Sequence, residues 1–103
     1  MATSNVRILG RNFKVVQEAD GKLAGYCDRK AGIIGIDPEQ DEFGLKDTFL
    51  HEIMHGILWQ QGYDHKYPLE ESFVRPLATG LITVFQDNPD LAKWLIKHIK
   101  EKP

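Results

Sequence analysis

The apolar positions change period once along the chain. From residue 6 to residue 37 they fall in short runs broken by turn formers, VRILG, NFKVVQEA, KLAGYCD and AGIIGID, which read as strands. Asp20-Gly21, between VVQEA and LAGYC, predicts an antiparallel hairpin, because a two-residue type I′ turn needs positive φ at both central positions. RKAG is the next turn. AGIIGID then forms a third or fourth strand, where Gly32 and Gly35 predict the close approach of another backbone.

From Leu45 to Gln61 the spacing becomes helical. Leu45, Phe49, Ile53 and Ile57 share one face, with Leu50, Met54 and Leu58 beside it, so the helix should be largely buried. Gly62 is placed to end it with positive φ. Pro68 opens a second pattern, LEESFVRPLATGLITVFQ, in which Pro76 removes a hydrogen bond to the Ser72 carbonyl and predicts a kink. In NPDLAKWLIKHIKEK, Asn88 is the expected cap and Pro89 the first helical residue, with Asp90 in the first turn and lysines at the end. Leu91, Trp94, Leu95 and Ile99 form its apolar stripe, Trp94 being expected in the core and His98 at the surface. Strands first and helices afterwards predict an α+β fold: a small antiparallel N-terminal sheet of three to four strands packed on helices.

Length and composition limit what such a fold can be. The 103 residues suffice for one domain, 1–103, with one core, so any site must be built from core elements. Hydrophobic residues make up 42% and charged residues 27%, an ordinary globular balance. A net charge of -2 offers no general attraction to nucleic acid or to an anionic membrane. The N-terminal stretch lacks the apolar run of a signal peptide, nothing approaches a membrane span, and Cys27 is the only cysteine. A cytoplasmic protein with no internal disulfide is expected, Cys27 serving as a small packing residue.

One motif carries chemistry. HEIMH, residues 51 to 55, lies inside the buried helical segment. Residues four apart share a helix face, so His51 and His55 can present their imidazoles to one zinc ion. Glu52, about 100 degrees round the axis, is displaced from that plane but can reach a water bound to the metal as general base. Chance placement of this chain's histidines and glutamates would produce H-E-x-x-H in roughly one percent of such sequences. Two histidines and a glutamate on a buried helix would otherwise be costly polar groups.

Zinc needs a third protein ligand and an open position. A histidine ten residues after His51 is excluded, since that position is Gln61, leaving Glu70, Glu71, Asp64 and His65. Glu71 shares helical intervals with Val74, Leu77, Ala78 and Leu81 and is the preferred ligand, with Glu70 as the fallback. Asp64 or Glu70 is the alternative orienting group for a ligand histidine. Tyr63, His65 and Tyr67 are candidate oxyanion donors from the loop after the metal helix.

LHEIMHGIL followed some fifteen residues later by an acidic residue resembles the glutamate-zincins, particularly the ImmA/IrrE-type peptidases and the short H-E-x-x-H proteins of phages and mobile elements. In that group the third ligand begins a pattern E-x-x-A-N/D-x-F-A; Glu71, Val74, Leu77 and Ala78 follow it in outline and Arg75 departs from it. The resemblance covers approximately residues 31 to 87. It implies a zincin-like fold and a zinc metallopeptidase acting on a peptide or protein, with AGIIGID as the edge strand that aligns extended substrate. Two other readings remain: a regulatory zinc-binding protein without turnover, and a metal-dependent endoribonuclease. The latter is suggested by HGILWQQGYDH, but Trp59 stands where its second histidine would be, and indole does not ligate zinc.

Overall fold

A computed structural model describes residues 4–18, 23–63 and 69–99. Four strands, β1 (Asn5–Ile8), β2 (Arg11–Gln17), β3 (Gly25–Asp28) and β4 (Ile33–Ile36), precede three helices, α1 (Glu42–Gln60), α2 (Leu69–Asp87) and α3 (Pro89–Ile99). The architecture is a small α+β fold. Its sheet is mixed, which corrects the antiparallel expectation: the order is β1-β2-β4-β3, with β2 and β4 parallel and the outer pairs antiparallel.

The reason lies in the side chains of β4. IIGI is apolar throughout, and Ile34 and Ile36 are almost completely buried, so this strand takes an interior place with a neighbour on each side. It thereby separates β2 from β3, and the antiparallel pairing expected of those two segments does not form; Asp20 and Gly21 themselves lie outside the described residues. The two-residue hairpin occurs instead between β1 and β2. Leu9 and Gly10 adopt φ of 47° and 87°, the two positive values a type I′ turn requires.

Alternate residues of β2 and β4 point to one face. Phe13, Val15, Ile34 and Ile36, with Ile8 from β1, form the core, and Leu45, Phe49, Ile53 and Ile57 of α1 pack on it as their spacing predicts. Each such side chain contributes roughly 1.5–3 kcal/mol when fully buried. Helix α2 packs on α1, and α3 on α2. Helix α1 thus lies between the sheet and α2, which is why it is apolar around so much of its circumference.

The helix ends follow local chemistry. The Asp41 carboxylate accepts the Gly44 amide at 2.7 Å to cap α1, and Gly62 terminates it at φ 81°. Pro76 lies within α2, which runs unbroken to Asp87. Asn88 does not act as the expected cap of α3; its side-chain amide turns back and donates to the Val84 carbonyl at 2.9 Å. Nor does Trp94 enter the core. It is 56% exposed and its ring lies against His98, because among the described elements α3 rests on α2 alone and too little of their surface meets it to cover its stripe.

Candidate metal centre

Thr48, Glu52 and Gly56 are spaced four apart on α1 and are the residues of this helix turned most tightly inward. Two glycines make that fit possible. A β-carbon on Gly25 would fall 2.5 Å from Thr48 Cγ2 and 2.8 Å from the Gly35 carbonyl, and one on Gly56 would fall 2.8 Å from Ile8 Cδ1. With hydrogen there instead, β3 lies directly along the helix and Glu52 is held between them.

His51 and His55 emerge one turn apart, as the motif predicts, with ring centroids 5.0 Å apart and planes tilted by 54°. Both meet the first turn of α2, from which the adjacent Glu70 and Glu71 diverge. Glu71 Oε1 lies 2.5 Å from His51 Nε2 and 3.6 Å from His55 Nε2. Glu70 Oε2 bonds the other ring nitrogen, His55 Nδ1. A carboxylate oxygen facing Nδ1 accepts from it, and this contact orients the ring so that Nε2 is turned toward Glu71. Arg29 Nη1 approaches the same Glu70 oxygen at 3.9 Å from the sheet side.

The electrostatics follow from removing these groups from water. Burial lowers the His51 pKa below its ordinary 6.5, with Glu71 opposing and His55 adding to the effect, a shift that favours the neutral form a metal ligand needs. Burial pushes the Glu52 carboxyl from 4.5 up to about 7; Glu71 adds to the rise and His55 reduces it. Burial also pushes the Cys27 thiol up to about 12, with Glu52 contributing. Cys27 packs against the core as expected of a small apolar residue.

Donor atoms of His51, Glu52 and His55 all lie within 4.8 Å of one another, a group that could hold a metal ion. The fit has a second indication. Among the described residues Glu71 Oε1, like Glu70 Oε1, is buried with no hydrogen-bond partner, although two ring nitrogens stand beside it. A buried carboxylate oxygen is rarely left so unless a cation supplies its partner.

Cavities flank the cluster on two sides and share Gly25, Glu52 and Glu71 in their walls. One of about 230 Å³ reaches past His55 to Cys27 and Arg29; the other, of about 550 Å³, reaches past His51 to Asp47, Arg75 and Thr79. The strand bordering both is β3. This corrects the assignment of residues 31 to 37 as the edge strand: β4 is paired on both sides, whereas among the described residues β3 is paired only with β4 and forms the rim.

Among the other candidates, Tyr63 follows the end of α1, is 56% exposed, and donates its backbone amide to Leu58 at 2.9 Å. Asp64, His65 and Tyr67 lie outside the described residues. Trp59 faces the Arg11 guanidinium at 5.2 Å. Sequence reasoning missed β3, Cys27 and Arg29 as lining, since only the strand order brings them to the cluster. The chain matches no family model, no curated protein and no solved structure.

Proposed function

We propose that the chain is a minimal zincin-like metallopeptidase with zinc held by His51, His55 and Glu71. The observation that carries this reading is Glu71 Oε1, buried between two Nε2 atoms and without a hydrogen bond among the described residues. Two neutral imidazoles and one carboxylate are a common catalytic zinc set, and they leave a further position open. Glu70 is the orienting group, fixing the tautomer and direction of His55. Bound zinc would act as a Lewis acid on a peptide carbonyl and lower the pKa of water.

Glu52 supplies the proton chemistry. Among the carboxylates of the cluster, it is the one pressed between helix and strand, and a proton affinity near neutrality suits a group that first takes and then returns a proton. Since burial disfavours its charge, Glu71 is the better fit as ligand and Glu52 as base. As the outer strand of the described sheet, β3 offers backbone groups for aligning an extended peptide beside Glu52.

Zinc-loaded chain incubated with a mixture of unstructured peptides is the direct test. Cleavage that chelation stops, zinc restores and Glu52→Gln abolishes supports the reading. Zinc binding at one per chain with no cleavage of any peptide would leave a binding protein instead.

A further inference from the structure

The 550 Å³ cavity holds a positive group that the metal site leaves unused. Arg75 lies one helical turn beyond Glu71 on α2, so both project on one side of the helix, and both line this cavity with His51 and Glu52. The other charged group in its wall is Asp47, whose carboxylate accepts the Thr79 hydroxyl at 2.7 Å. Among the described residues, the Arg75 side chain makes no ion pair or hydrogen bond, and the residue is exposed. A guanidinium directed into a cleft beside the reacting groups, without a carboxylate of its own, is a receptor for one.

We infer that Arg75 binds a carboxylate of the peptide substrate, either a C-terminal carboxylate or an Asp or Glu side chain, on the His51 side of the scissile bond. The inference rests on the peptidase reading and names its substrate class. Four residues of helix rise about 6 Å, and an extended peptide advances about 3.3 Å per residue, which puts the recognised carboxylate within about two residues of the bond cleaved. The guanidinium fork donates to both carboxylate oxygens at once, and the neutral amide of the same shape does not offer that pair of acceptors.

The test uses the full chain carrying Glu52→Gln, supplied with zinc, so that bound probes stay intact. Four probes separate the sources: acetyl-trialanine as free acid and as amide, and acetyl-Ala-Ala-Glu-amide against acetyl-Ala-Ala-Gln-amide. Binding is followed by calorimetry and by the Arg75 Nε–H resonance, and metal content is measured on the same samples. The expected result is a preference of roughly tenfold or more for one acid over its amide partner, with a shift of the Arg75 resonance. Arg75→Gln abolishes that preference and Arg75→Lys keeps part of it. The acid that is preferred identifies the source.

Equal binding of acids and amides, no binding of any probe at millimolar concentration, or a preference that survives Arg75→Gln overturns the inference. A chain that takes up no zinc overturns the metal-site reading, and the acid-to-amide ratio measured on that same chain still decides the role of Arg75.

Discussion

The Glu70 carboxylate meets Nδ1 of His55 across the junction of α1 and α2, on the side of the ring opposite Glu71. Adjacent residues on one helical turn thereby stand differently, one bonded to a histidine's Nδ1 and the other facing the Nε2 atoms of both histidines.

Metal uptake should separate Glu70 from Glu71. His51→Ala or His55→Ala should abolish tight zinc binding, and Glu71→Gln should weaken it strongly. Glu70→Gln should cost roughly 10–100-fold in affinity while keeping one zinc per chain, because it disturbs the orientation of a ligand rather than removing one. Competition with a chromophoric chelator measures each value. A Glu70→Gln chain as deficient as Glu71→Gln would reverse the two assignments.

The metal-free protein should reveal Glu52 through pH. Its folded pKa, raised from 4.5 to about 7, means that the native state binds this proton more tightly than the unfolded chain. Its contribution is therefore favourable below pH 4.5 and is lost as pH rises through about 7. His51, lowered by burial, works in the opposite direction, so wild type alone does not isolate the effect. The stability advantage of Glu52→Gln over wild type should instead grow between pH 4.5 and 7, by at most on the order of 3 kcal/mol. Urea unfolding in chelator at both pH values measures it, and a constant difference would contradict the assignment.

Cys27 should react slowly. Its thiol, held at about 12, carries little thiolate at pH 8. Alkylation by iodoacetamide should be at least roughly a hundredfold slower in the native chain than in urea, by loss of the nucleophilic form. Mass spectrometry over a time course reads both rates, and comparable rates would place the thiol in water.

The contact of β3 with α1 should be intolerant of a single methyl group. Gly25→Ala places a carbon 2.5 Å from Thr48 Cγ2 and 2.8 Å from the Gly35 carbonyl. A cost of about 1–3 kcal/mol is expected, typical of overpacking. Adding Thr48→Ser removes the side-chain clash but not the one with backbone, so recovery should be partial. Thermal unfolding of wild type and the two variants provides the comparison; full recovery would show that the carbonyl clash is relieved by a small strand shift.

Periodicity and spacing on their own determined the elements and the heart of the site. Leu45, Phe49, Ile53 and Ile57 marked the core face of α1, Gly62 its end, and His51 and His55 a shared surface, because a helix imposes its 3.6-residue repeat locally. Asp20-Gly21 suggested a neighbouring pair of strands, and local turn chemistry had no means of registering that β4 would take the interior place between them. Strand order depends on which strand buries most apolar surface, and Ile34 and Ile36 settled that competition across the sheet. The same nonlocal packing moved the rim of the cleft from β4 to β3 and brought Cys27 and Arg29 to its wall. It also assigned different partners to Glu70 and Glu71, since the angle at which α2 meets α1 is set by side chains distant in sequence. Trp94 shows the converse: an amphipathic stripe declares which face is apolar, and only the packed molecule decides whether anything covers it.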